Sequence, residues 1–214
     1  MDSLKQHLLF ARQLNLGCPA IQEIINAVKD YFDGAEPRLE HVELFTPEEW
    51  KKETDFAFKT AGKYIVWNRS IIMQEEWFRE NPGMLIHELV HAITTVGRSR
   101  IFTEGLAELI ARDISDKLGI FKYPHYPRFT TMLQKFINLL QVPIQTVAVN
   151  CVKGLYGIGE FVRNRFKELY PNPLVVRGQL KRDWIRLFKE IGLDWDIATS
   201  DIEIVLPEQY LWND

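Results

Sequence analysis

Cysteine is scarce in this chain: two in 214 residues, Cys18 and Cys151, far apart and in no CxxC pairing. Two cysteines allow at most one bridge and no disulfide framework, and two mostly buried thiols suit a reducing compartment better than that single bridge, so a cytoplasmic protein is expected. Blocks of like charge are missing too. The 26 Lys and Arg and the 29 Asp and Glu are interspersed and leave a net charge of −3, without the basic footprint that phosphate neutralisation needs. No nucleic-acid partner is expected. Long apolar runs are also absent: the longest stretch free of charge, FINLLQVPIQTVAVNCV at 136–152, is interrupted by Gln141, Pro143, Gln145 and Asn150, which excludes a membrane span. The opening MDSLKQHLLFARQLNLG is too broken by charge for a signal-peptide core.

Apolar residues nevertheless make up 46% of the chain and aromatics 12%, enough for one substantial core, so a single domain over 1–214 is expected. Apolar positions at helical spacing fall over 2–16 and 19–33, with GCP between, and predict a helical hairpin in the N-terminal part, 1–34. Over 36–80 the period changes. PRLEHVELF alternates like a half-buried strand, and GKYIVWNRSIIMQ reads as two short strands around Asn68-Arg69, together a small antiparallel-type sheet. Asn81-Pro82 then offers a cap and a first-turn proline for a helix that is apolar on most sides and ends at Gly97. Thr103 can cap a second helix running to Gly119. A proline-broken loop, KYPHYPRF, helices near 129–140 and 155–169, and a part from 171 to 214 with a helix near 179–191 and a tail, DIEIVL, complete the chain. The fold class expected is α+β, with an edge strand packed on the central helix and a mostly helical C-terminal part.

The central helix carries HELVH. His87 and His91 are four residues apart, so both imidazoles leave one face and can meet a single ion, with Glu88 next to that face. A core helix with two hydrogen-bonded histidines is the competing account of this segment alone. A catalytic tetrahedral metal needs a third protein ligand and an open position. Glu104 follows after the Gly97-Arg98-Ser99-Arg100 turn reverses the chain. Glu108 lies one helical turn further on the same face, placed to accept from the far nitrogen of a ligand imidazole. An ordinary first-turn acid and an exposed helix acid are the bland readings of the two. A helix otherwise apolar has little reason to carry both directly after HExxH.

HELVH followed by TEGLAE resembles the gluzincin metallopeptidases, the zincins whose third ligand is a glutamate, as in the thermolysin and aminopeptidase N families. The resemblance covers roughly residues 60 to 165. It implies a zincin-like fold with one zinc ion per chain on His87, His91 and Glu104, since Glu104 stands in the (Asn/Thr)-Glu-Gly-x-Ala run. Glu108 would replace the aspartate that orients a zinc histidine. The gap from His91 to Glu104 is 13 positions (104 − 91), shorter than the larger gluzincins use and similar to the compact minigluzincins. That short gap leaves Glu108 open as the alternative ligand, with the Glu-Gly-x-Ala context favouring Glu104.

The same resemblance assigns Glu88 as general base and, through LYGIGEFVRNRF, Tyr156 as donor to the oxyanion; Tyr123, His125 and Tyr126 are rival donors. An edge strand upstream of the helix would take an extended substrate, with Tyr64–Asn68 and Ile71–Met73 both open as that edge. Arg98 and Arg100 are candidates for the cleft wall. The expected function is thus a zinc-dependent peptidase acting on peptides or proteins. The alternative is a zincin-fold binding or regulatory protein that is catalytically silent, or autoinhibited by its strand-forming tail, DIEIVLPEQYLWND.

Overall fold

The computed structural model describes residues 13–53, 61–94, 101–169 and 182. The described residues fold as an α+β structure with a four-stranded sheet in the order β1 (Gln13–Leu14), β2 (His41–Phe45), β4 (Ser70–Gln74) and β3 (Gly62–Ile65). The sheet is mixed rather than antiparallel. β1 and β3 run antiparallel to their neighbours, but β2 and β4 pair in parallel, Val42 opposite Ile71 and Leu44 opposite Met73. Parallel neighbours need a crossover, and between β2 and β4 the described residues form α2 (Pro47–Glu53) and β3.

The β3–β4 hairpin closes where Asn68-Arg69 predicts a turn. The Asn68 side-chain oxygen accepts from the Ser70 amide at 3.2 Å and from its hydroxyl at 2.7 Å, and Arg69 takes the left-handed region at φ 53°. β3 lies at one edge of the sheet and β4 inside it, so of the two candidate stretches the first is at an edge, although the strand ends at Ile65 and not at Asn68. Gly62 faces Met73, and the Gln74 amide donates to the Ala61 carbonyl at 2.9 Å. Gly62 and, two residues on, Tyr64 therefore occupy the pairs that exchange no hydrogen bonds with β4, so their own N–H and C=O groups point to the outer edge.

The described residues divide into two compact units. The first holds the sheet, α1 (Pro19–Tyr31), α2, α3 (Glu75–Glu80), α4 (Met84–Ile93) and most of α5 (Leu106–Leu118), with the chain on to His125. Here α4 packs against β3, β4 and α1, and Met84 to Val90 are all buried, as expected of a helix apolar on most sides. The second unit holds a π-helical turn, Ile101–Gly105, with α6 (Pro127–Leu140), α7 (Ile144–Cys151) and α8 (Gly154–Leu169). In it α6 packs against the π-turn, α7 and α8. Gly105 is needed there: a β-carbon on it would stand 2.9 Å from the Phe129 carbonyl oxygen.

Several expectations change. Gln13 and Leu14 form a strand, so the first helix of the N-terminal hairpin does not reach residue 16; residues 1–12 lie outside the described residues. Helices α2, α3 and α7 fall in stretches too short or too polar for a clear period. Asn81 does not turn its side chain to the helix it precedes. Its carboxamide oxygen accepts from the Tyr123 amide at 2.9 Å, a longer-range partner that outcompetes the local cap. Thr103 sits inside the π-turn rather than capping α5. The helix near 179–191, apart from Arg182, and the DIEIVL tail lie outside the described residues, as do Arg98 and Arg100.

Candidate metal centre

α4 carries both histidines and Glu88. One turn of helix separates the imidazoles, whose Nε2 atoms face each other at 3.0 Å with the rings at 80°. An ion at the usual nitrogen distance of about 2.05 Å from both, with tetrahedral angles, would need a separation of about 3.3 Å, so the pair is spaced for one ion with almost no movement. His87 is buried and His91 half-buried. Glu104 stands in the π-turn directly before α5. His87, His91 and Glu104 each offer one ligand atom, and these atoms lie within 4.8 Å of one another, a group that can hold a metal ion. Two imidazoles and one carboxylate suit a divalent transition metal and leave room for a water.

Behind His87 lies a carboxylate with 0% exposure, Glu108 of α5. Its Oε2 is 3.4 Å from His87 Nδ1. An Nδ1–H held on a carboxylate leaves the Nε2 lone pair directed away from it, to the side where His91 stands. Glu108 is bound on both oxygens: Lys122 Nζ donates to Oε2 at 2.7 Å, Arg112 Nε to Oε1 at 2.9 Å, and the His125 amide to Oε1 at 2.7 Å. Burial alone would push this acid up; the His87 hydrogen bond, the Lys122 ammonium and the His125 amide outweigh it and hold the carboxyl at about 2. Burial draws the Lys122 ammonium below the usual lysine value, with Glu108 pulling the other way.

Glu88, buried beside the sheet, is approached by the edge strand. A β-carbon on Gly62 of β3 would lie 3.2 Å from Glu88 Oε1 and 3.2 Å from Met84 Sδ, so a side chain there would press both of these groups aside by a few tenths of an ångström. The loop KYPHYPRF has Tyr123 and Pro124 exposed at the surface but is tied down at its start. Lys122, His125 and Tyr123 tie it to Glu108 and Asn81, and Arg112 Nη2 donates to the His125 carbonyl at 3.1 Å. The His125 ring is drawn below the ordinary histidine value by its burial first and by Lys122 second.

Among the sequence-derived site residues, His87, His91 and Glu104 are thus brought together, Glu108 is joined to His87, and Glu88 stands against β3. Tyr156 lies in α8 by its backbone, and its side chain is outside the described residues. Sequence reasoning missed Lys122, Arg112 and Gly62. Arg112 had a usable signal, four residues after Glu108 on one helix. Lys122 had none, since a loop lysine between Phe121 and Tyr123 carries no period. Compared with models of known families, with curated proteins and with solved structures, the chain matches none.

Proposed function

We propose that this chain is a zinc-dependent peptidase. The observation that carries the reading is the placement of His87, His91 and Glu104 as one potential ligand group, with Glu88 following His87 on the same helix. Two histidines and a glutamate are a donor set of catalytic zinc sites. A zinc ion held by these residues supplies a Lewis acid that lowers the pKa of a bound water toward neutrality.

The chain's own groups divide the remaining work. Glu88 takes a proton from the attacking water and delivers it to the leaving amine, for which its carboxylate must be placed beside the scissile bond. The edge strand β3 supplies that placement. An extended peptide added along the outer edge meets the backbone groups of Gly62 and Tyr64, and Gly62 lies against Glu88. Glu108 fixes the His87 tautomer. Tyr156, by resemblance, donates to the oxyanion.

The reading is tested by digesting a mixed peptide library with purified protein before and after chelation, in parallel with Glu88→Gln. Cleavage that disappears with the chelator, returns with zinc and is absent from a folded, zinc-loaded Glu88→Gln protein is the expected result. A zinc-loaded wild type that leaves the whole library intact points instead to a binding protein on the same scaffold.

A further inference from the structure

Glu108 has no exposed surface, and a carboxylate in that position is tolerable only with opposite charge and hydrogen bonds around it. One of its two cations is as deeply placed as the acid: the Lys122 side chain is 3% exposed and donates to Glu108 Oε2 at 2.7 Å and to the Tyr123 carbonyl at 3.2 Å. Arg112, at 34% exposure, holds the other oxygen. The His87 imidazole comes to Oε2, the oxygen that Lys122 already holds, and it comes less closely, at 3.4 Å. The ammonium and the imidazole share one acceptor.

That sharing has a sign. An imidazole whose Nδ1–H leans on a carboxylate is a stronger donor through Nε2, and the gain falls as the carboxylate's charge is taken up by another cation. The ammonium also places a positive charge behind the ligand set, which repels a metal cation. Both effects lower metal affinity. Without metal the ammonium is favourable, because it supplies counter-charge to a buried acid.

Resting on the metal-centre reading above, we propose that Lys122 is a positioning residue acting through Glu108: it holds the buried carboxylate behind His87 when no metal is bound and, by competing with His87 for Oε2, restrains how tightly a metal is held.

The experiment measures zinc Kd by competition with a chromophoric chelator, and thermal unfolding after EDTA treatment, for the wild type and for Lys122→Met, Lys122→Gln and Lys122→Arg. The uncharged variants should bind zinc tighter, on the order of tenfold, while melting earlier without metal. Lys122→Arg, which keeps the charge, should stay within about threefold of wild type. Lys122→Gln retains a donor and decides the matter should the methionine variant not fold. A structural lysine would lower the melting temperature and leave zinc affinity unchanged or weaker in both uncharged variants, and that result overturns the proposal. A wild type that binds no zinc removes the metal centre itself, an outcome distinct from unchanged affinities among zinc-binding variants.

Discussion

Replacing Glu108 by Gln changes almost no volume and removes one charge, yet it should be among the most destabilising single substitutions in the metal-free chain. Four donors converge on this side chain: Lys122 Nζ and His87 Nδ1 on Oε2, Arg112 Nε and the His125 amide on Oε1. A carboxamide offers one acceptor oxygen, so one pair of donors meets an NH2 group instead. Whichever way the amide turns, Lys122 loses its anion, and its side chain is only 3% exposed. Breaking a buried ion pair from one side costs about 3–5 kcal/mol, against a total stability of about 5–15 kcal/mol for an ordinary domain. For a chain of this size each 1 kcal/mol shifts Tm by about 2–4 °C, so a fall on the order of 10 °C is expected. The assay is thermal and urea unfolding of EDTA-treated protein near pH 7, with Glu76→Gln as the control at an exposed position of α3. The control should stay within about 0.5 kcal/mol of wild type. A Glu108→Gln loss below about 1 kcal/mol would mean that the acid does not compensate a buried cation.

Gly105→Ala should destabilise by about 1–3 kcal/mol through overpacking against the Phe129 carbonyl. Helix propensity alone predicts a gain of about 1 kcal/mol, so the sign of the change in urea unfolding decides. Tyr31 is held up at about 12 by burial first, then by the charge and hydrogen bond of Asp113. Its proton is lost earlier in the unfolded chain than in the folded one, so the stabilisation is complete below pH 10 and fades as pH rises toward 12, by about 3 kcal/mol in all. Tyr31→Phe should flatten that part of the stability curve, and an unchanged slope would contradict the assignment. If Tyr156 donates to the oxyanion, Tyr156→Phe lowers kcat by about 10²-fold with zinc content unchanged, which single-turnover peptide hydrolysis and metal analysis read together.

Much of the centre was legible in the sequence because helical spacing is a geometric fact. His87 and His91 at four residues must share a face, and Glu108 one turn after Glu104 stays within reach of the same region. Less legible was everything set by the meeting of distant segments. The parallel pairing of β2 with β4 follows from a crossover whose helix, α2, is seven residues long and too short to show a period. Gln13 and Leu14 read as helix by spacing and were drawn into the sheet by β2, a tertiary partner overriding local pattern. Lys122 and Asn81 take their places from contacts across 14 and 42 positions, separations that neither a helical nor a strand period encodes.

We propose that His87, His91 and Glu104 together hold one zinc ion. Elemental analysis of the purified chain and of Glu104→Ala, each saturated with zinc and passed through a desalting column, tests it most directly. Wild type should retain about one zinc per chain and Glu104→Ala almost none, while the two proteins show the same far-ultraviolet circular dichroism. Equal zinc in both, or none in a folded wild type, would contradict it.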